Sequence, residues 1–240
     1  MQKLRNILIL TGAGISVESG LSTFRDSNGL WCNHRIEDVA TLEAFALQPE
    51  VVQRFYNERR RKLQEACVKP NAAHYALARL QREMKGNVHI VTQNVDNLHE
   101  RAGSTDVVHM HGELLKARCR FTDEVFDIVG DIDPAKDRCT CCNELGTLRP
   151  HIVWFGEMPL FMEKIEELLS KTELFVCIGS SGQVYPAAGF VTRARFAGAK
   201  TLEINIEKTG DYNDFSKTLI GKASEVVPKW VDSMLDGSFV

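Results

Sequence analysis

Two glycines one residue apart, Gly12 and Gly14, follow the uncharged run 7–10, which is typical of a strand buried on both faces. Residues 15–18 then have the pattern of a helix start. Glycines at a strand-to-helix turn let the backbone approach a pyrophosphate, whose charge a helix N-terminus stabilises. We therefore predict a dinucleotide site. Val17 stands where the usual fingerprint has a third glycine, and an ordinary tight turn stays the alternative.

Amide and carboxylate side chains follow a second apolar run. Gln93, Asn94 and Asp96 come directly after residues 88–92. Such groups at the carboxyl end of a strand can bind ribose hydroxyls or a carboxamide. Asn and Asp are also favoured caps of helix N-termini, so both interpretations stay open.

Two histidines, His109 and His111, lie just before Gly112. Histidine is the side chain best suited to general base catalysis at physiological pH. A core or metal-binding histidine is the alternative for each. His111 is the better candidate for a base, because it lies next to a glycine after a possible short strand at 107–109, where ligands of such sheets collect.

Cys119 and the cluster Cys139, Cys141 and Cys142 resemble a zinc ribbon that lacks one ligand. A structural zinc usually takes four ligands from two Cys-x-x-Cys pairs. Cys139 and Cys142 form one pair, but Thr122 stands three residues after Cys119. We predict zinc ligands at Cys119, Cys139 and Cys142, with Cys141 as a further candidate. A metal-free remnant is the alternative.

Tyr56 and Arg59 are three residues apart in a helical pattern and so share a helix face. Turned inward, the pair could bind a carboxylate through the guanidinium fork and the phenol hydroxyl. A pair of surface residues is the alternative.

Apolar runs that alternate with helical patterns predict the elements that position these residues. Strands are expected at 7–10, 88–92, 174–179 and 201–205, with a short one at 107–109. This alternation indicates an α/β fold, a Rossmann-like doubly wound parallel sheet with helices on both faces.

Two segments interrupt the alternation. Residues 28–70 are mostly helical, with helices expected at 41–47 and 50–66, and residues 114–150 hold four of the seven cysteines. We therefore expect a small domain, a helical module with a degenerate zinc ribbon, inserted in a dinucleotide-binding domain. The large domain would comprise 1–27, 71–113 and 151–240, and the small one 28–70 and 114–150.

Composition limits the partners. The chain has 240 residues, a net charge of −3 and no long basic run, so we expect no nucleic-acid groove. No apolar stretch is long enough to span a bilayer, so no membrane partner is expected. Seven cysteines without a secretion signal predict a reducing, cytoplasmic location.

Taken in order, these motifs resemble the sirtuin family of NAD-dependent protein deacylases. The pair Tyr56 and Arg59 resembles the mark of the bacterial-type subgroup, which removes succinyl and other acidic acyl groups as well as acetyl. The matching segments span nearly the whole chain and lie at 12–16 with 23–25, 93–96, 109–112, 150–157, 179–186 and 204–207.

The resemblance implies a role for each motif, with His111 as the catalytic base and acylated-lysine protein substrates bound as an extended added strand. The NAD-binding residues would be Gly12, Ala13, Gly14, Ser16, Phe24, Arg25, Trp31, Gln93, Asn94, Val95, Asp96, Gly179, Ser180, Ser181, Asn205, Ile206, Glu207 and Ala223. The substrate contacts would be Tyr56, Arg59, Val153, Phe155, Gly156, Glu157, Val184 and Tyr185.

The implied reaction consumes NAD as a co-substrate and gives nicotinamide, acyl-ADP-ribose and free lysine, with Zn²⁺ in a structural role. Mono-ADP-ribosyl transfer would use the same site, and an NAD-dependent dehydrogenase fits the same fold. A dehydrogenase predicts a second strand that ends in an acidic residue soon after the glycine turn, and residues 20–50 show none. A non-catalytic NAD sensor is a further rival, against which the retained His111 argues.

Overall fold

The computed structural model describes residues 4–23, 35–209 and 215–239 of the chain. In chain order, the strands are β1 (Asn6–Thr11), β2 (Asn87–Thr92), β3 (Val108–His109), β4 (Gly112–Cys119), β5 (Val125–Asp127), β6 (Leu148–Ile152), β7 (Leu174–Ile178), β8 (Lys200–Asn205) and β9 (Lys217–Ile220). The α-helices are α1 (Ile36–Val39), α2 (Leu42–Leu47), α3 (Pro49–Leu63), α4 (Ala72–Glu83), α5 (Leu98–Arg101), α6 (Met162–Lys171), α7 (Phe190–Phe196) and α8 (Ala223–Leu235).

Six strands form a parallel sheet in the order β3-β2-β1-β7-β8-β9. β1 and β7 are fully buried over nearly their whole length, which explains why their sequences carry no charge. Thr11 pairs with both Thr92 and Ile178, so the three central strands end at the same edge. The strand order reverses between β1 and β7, and ligands of open α/β sheets bind at such a switch point.

Helices cover both faces of this sheet. Leu77 of α4 and Trp230 of α8 pack in one buried cluster, and Leu169 of α6 and Phe190 of α7 pack in another on the opposite face. The predicted doubly wound sheet is therefore confirmed.

A second, antiparallel sheet lies outside the first, in the order β5-β4-β6. Its residues share a third buried cluster with α2 and α3, which includes Phe45, Phe55, Leu114 and Ile152. Only Met110 and His111 separate the end of β3 from the start of β4, so the chain passes from one sheet to the other at the histidine motif.

The predicted helix start at 15–18 is wrong. Residues Ala13–Ile15 and Val17–Ser19 form two short 3-10 turns, and Gly20, at φ 87°, ends the second in the left-handed conformation. The helices expected at 41–47 and 50–66 correspond to α2, which Thr41 caps, and to α3. The edge strand β9 was not predicted.

Among the residues that the structure describes, no helix has both the length and the apolar character needed to cross a bilayer.

Candidate functional site

The glycine turn after β1 packs directly on the turn after β7. The Gly12 amide donates to Ile178 O at 2.9 Å, and the Gly14 amide donates to Gly179 O at 2.8 Å. A Cβ added at Gly14 would lie 2.7 Å from the Gly179 Cα, and Gly179 itself has φ +62°. The glycines therefore allow two backbone segments to touch at the switch point.

A buried polar cluster lies beside this turn. The Asn94 Nδ2 donates to Gly12 O at 3.1 Å and to Ser16 Oγ at 3.2 Å, and the Ser16 hydroxyl donates to Asp96 Oδ2 at 3.0 Å. The other Asp96 oxygen accepts the Leu98 amide at the start of α5. Asp96 lies one residue before the N-cap Asn97, so it binds the first helical amide with one oxygen and faces the turn after β1 with the other.

The same cluster extends across β7 to β8. The Gln93 Nε2 donates to Ser180 Oγ at 3.0 Å, and the Asn205 Nδ2 donates to Ser180 O at 2.9 Å. Turns after four parallel strands are thereby joined at one edge. The other predicted NAD-binding residues of this region are Ala13, Val95 and the exposed Ser181, Ile206 and Glu207, with the buried Ala223 at the start of α8. Phe24, Arg25 and Trp31 lie outside the described residues.

His111 reaches this cluster from the connection between the two sheets. Its Nδ1 lies 3.1 Å from Gln93 O, and a carbonyl can only accept, so Nδ1 carries the proton and Nε2 is the basic nitrogen. Burial lowers the pKa of His111 below its usual 6.5, and the bond to Gln93 only partly opposes this. The ring is therefore neutral at pH 7, as a general base requires.

Gly112 is the residue that lets the chain turn after His111. Its φ is +83°, and an added Cβ would lie 2.0 Å from His151 O. The glycine thus permits β6 to pair closely with the start of β4, next to the histidine.

The predicted substrate segment 153–157 is held by two of its backbone amides. The Val153 amide donates to His111 O at 3.0 Å, and the Phe155 amide donates to Ala40 O at 2.9 Å. Phe155 and Gly156 are exposed, as a peptide-binding surface requires. Val184 and the exposed Tyr185 lie in the loop after β7.

The Glu157 carboxylate is turned inward. It accepts from Arg149 Nη1 at 2.7 Å and Nη2 at 2.8 Å, and from the Trp154 amide at 2.8 Å. Arg118 Nη2 lies 3.3 Å away, and the Arg149 guanidinium stacks 3.6 Å above the Trp154 ring. The sequence analysis gave no role to Arg118 or Arg149, and none to Trp154 beyond its place in segment 150–157. The available signal was an arginine directly before that segment.

Tyr56 and Arg59 lie on α3, and Tyr56 is fully buried next to Trp154 of segment 153–157. The Trp154 Nε1 donates to Tyr56 Oη at 2.9 Å. Burial raises the pKa of Tyr56 beyond its usual 10, so its hydroxyl keeps its proton. The Arg59 Nη1 donates to Phe55 O at 2.6 Å, and its guanidinium lies over the Phe55 ring.

Four cysteines, one at the end of β4 and three in the segment between β5 and β6, come together. The sulfur atoms of Cys119, Cys139, Cys141 and Cys142 all lie within 4.8 Å of one another. The Cys119 and Cys142 sulfurs are 3.8 Å apart, and the Cys141 sulfur is 3.1 Å from Thr122 Oγ1. Four convergent sulfurs are the donor set that a structural zinc takes, so the residues present fit the ion. Cys141 would supply the sulfur that position 122 lacks.

Replacing Cys139 by serine should lower zinc content and thermal stability, because a structural zinc contributes directly to folding. We expect well under half of the wild-type zinc by elemental analysis of the freshly purified variant. Cys67→Ser is the matched control, since Cys67 is an exposed cysteine outside the cluster. Wild-type protein with almost no zinc would contradict the prediction.

Comparisons with known proteins identify relatives of the chain. The model of the Sir2 family matches residues 12–186. The "NAD-dependent protein deacylase SIR2rp3" of Leishmania major is 64% identical, over 99% of each chain. An "NAD-dependent protein deacylase" of Escherichia coli (strain K12) is 55% identical, over 99% of this chain and 84% of the relative.

Solved structures give the same result. A Sir2 homologue in complex with NAD has a TM-score of 0.88 and 36% identity, covering 98% of this chain and 91% of that one. Sir2Af2 bound to a myristoylated histone peptide has a TM-score of 0.74 and 31% identity, covering 98% of this chain and 93% of that one.

Proposed function

The chain belongs to the Sir2 family and is an NAD-dependent protein deacylase, and from this we propose that it removes succinyl as well as acetyl groups from protein lysines. NAD is its co-substrate. The observation that carries the succinyl proposal is the bond from Trp154 to Tyr56, because it joins the Tyr56–Arg59 face of α3 to the segment attached to His111.

We assign NAD to the edge where the turns after β1, β2, β7 and β8 meet. The amides, hydroxyls and carboxylates of the protein at this edge are the groups that bind pyrophosphate, ribose and carboxamide. Gly12, Ala13 and Gly14 would hold the pyrophosphate, and Asn94 and Asp96 the nicotinamide ribose. Ser180, Asn205 and Glu207 would hold the adenosine half, because they lie on the far side of the switch point.

In the proposed reaction, bound NAD supplies the ribose carbon to which the acyl-lysine oxygen becomes attached as nicotinamide leaves. The Nε2 of His111 would accept the proton of a ribose hydroxyl, while its Nδ1–H keeps its hydrogen bond to Gln93 O. This bond fixes the ring and the tautomer throughout. The oxygen of that hydroxyl would then attack the acyl carbon, and one water molecule would release the lysine nitrogen from it. Nicotinamide, acyl-ADP-ribose and free lysine are the expected products.

The substrate would lie as an added strand between 153–157 and 182–185. The support is that Phe155 and Tyr185 are exposed, while the Val153 amide is bound to His111 O. A related structure, Sir2Af2, carries a myristoylated histone peptide. We also propose that residues 28–70 and 114–150 act as the small domain, with α3 as the roof over the acyl group.

Arg59→Met should raise the KM for a succinyl-lysine peptide roughly tenfold or more, because a hydrogen bond to a charged group is worth about 1.5–3 kcal/mol. Tyr56→Phe should act in the same direction. Arg59→Met should affect the acetyl-lysine peptide of the same sequence little, since acetyl has no carboxylate. Kinetics with the paired peptides measure both effects.

Arg54→Met is the matched control, because Arg54 is an exposed arginine on the same helix. Equal losses on both peptides in Arg59→Met would show that the pair serves folding or NAD binding, and the succinyl proposal would fall. Mass spectrometry of the peptide separates loss of an acyl group from gain of ADP-ribose, and absorbance of NADH tests for a dehydrogenase.

A further inference from the structure

His109, at the end of β3, is only 5% exposed, yet both of its ring nitrogens contact oxygen atoms. Its Nε2 lies 2.8 Å from Glu100 Oε1, and its Nδ1 lies 3.3 Å from Asn94 O. A carbonyl oxygen and a carboxylate both accept hydrogen bonds and donate none. Both contacts are hydrogen bonds only when both nitrogens carry protons, so the arrangement selects the imidazolium form.

The charges around the ring favour this form. Burial lowers the pKa of His109, but the hydrogen bond and the charge of Glu100 outweigh burial and raise the pKa above its usual 6.5. The same pairing lowers the pKa of Glu100, whose side chain is 41% exposed. The titratable groups that face the ring are Glu100 and His99 of α5, Asp96 of the turn after β2, and Glu113 of β4, which is paired with Lys116.

The Asn94 carbonyl belongs to the turn that carries the proposed nicotinamide side of the NAD site. His111 holds the preceding carbonyl, that of Gln93, so two histidines two residues apart hold two consecutive carbonyls of one turn. The Asn94 side chain in turn reaches Gly12 O and Ser16 Oγ. Any rotation of the Asn94 peptide would therefore move groups on the turn after β1.

We propose that His109, in its protonated form, is a positioning residue for NAD that fixes the Asn94 peptide through the Glu100 pair. The proposal rests on the proposed function, because it needs NAD at this edge. It differs from the assignment of His111, whose neutral ring is the base. Loss of the His109 proton frees the Asn94 carbonyl or the Glu100 carboxylate, and NAD then binds a looser turn.

The dissociation constant of NAD, measured by calorimetry without peptide substrate, tests the proposal. In the wild-type protein it should rise roughly tenfold as the pH increases through the pKa of His109. His109→Gln cannot become a cation, so it should bind NAD weakly at every pH. Glu100→Gln should shift the wild-type transition to lower pH, because the anion that raises the pKa is gone.

A purely structural role of His109 would not shift the pH of the NAD-binding transition in Glu100→Gln. The Glu100 side chain is exposed enough for this variant to fold. His89→Gln, on the middle of β2, is the control and should keep the wild-type pH profile. A flat profile in the wild-type protein, or a wild-type profile in His109→Gln, would overturn the proposal. The expected profile in a protein that deacylates neither peptide would support the role of His109 and would reject only the proposed function.

Discussion

His111→Ala should lower deacylation by roughly 10²–10⁴-fold, the range that a general base contributes. The variant lacks the Nε2 lone pair that would accept the proton. In the wild type, the Nδ1 hydrogen bond to Gln93 O directs this lone pair away from the turn after β2. NAD should still bind, because Gly12, Gly14 and Asn94 are unchanged. Steady-state turnover and NAD calorimetry on the same folded variant measure the two effects separately.

His89→Ala is the matched control and should keep wild-type turnover. If the His111→Ala variant kept half of the activity, another residue would have to be the general base. The pH profile gives a second check. Because burial lowers the pKa of His111, wild-type activity should stay high at pH 7 and fall only as the pH drops below about 6.5, where the ring becomes protonated.

Glu157→Ala should lower the free energy of unfolding by about 3 kcal/mol, because it leaves a buried guanidinium without its counter-ion. Arg149, whose side chain is 5% exposed, would lose both hydrogen bonds to the carboxylate, and the Trp154 amide would lose its acceptor. Chemical denaturation measures the loss. The KM for acetyl and succinyl peptides should rise together, since segment 153–157 would loosen for both.

Glu163→Ala is the control, because Glu163 is an exposed residue at the start of α6, and it should cost less than about 0.5 kcal/mol. The double variant Glu157→Gln/Arg149→Met should be more stable than Glu157→Gln alone, because it removes the unpaired charge. A single Glu157 variant as stable as the wild type would contradict the importance of the pair.

The pH dependence of the unfolding free energy follows from the contact between Glu157 and Arg149. Burial raises the pKa of Glu157, but the hydrogen bonds from Arg149 and the Trp154 amide outweigh burial and lower the pKa below its usual 4.5. The carboxylate therefore stabilises the fold at neutral pH, and this contribution decreases as the pH falls below about 4.5. The difference in unfolding free energy between wild type and Glu157→Gln should shrink over that acid range.

The central strands were predictable because a strand buried on both faces must be uncharged, and few other elements have that pattern. β9 was not predicted because it is an edge strand whose residues are half-buried or exposed. The false helix at 15–18 arose because local periodicity does not reveal that Gly20 adopts a left-handed conformation and ends the turn.

The part of the candidate site that is formed by strand ends was predictable, since parallel strands bring Gly12, Asn94 and Ser180 to one edge. The contacts between distant segments of the chain were not predictable. Trp154 and Tyr56 are 98 residues apart in the chain, and no spacing rule pairs them. Cys141 stayed a secondary candidate because the ribbon pattern expects a ligand at position 122, and only the folded turn brings a third sulfur from residues 139–142.

The short connection between the two sheets has a mechanical consequence. The His111 ring is held by a turn of the parallel sheet, through Gln93 O, while the His111 carbonyl is held by the segment that leaves the antiparallel sheet, through the Val153 amide. His111 thus couples the two sheets mechanically, and a relative displacement of the sheets would change the backbone torsions at Met110 and His111. A displacement that separates the sheets would therefore also move the imidazole, so the position of the proposed base would depend on the distance between the sheets.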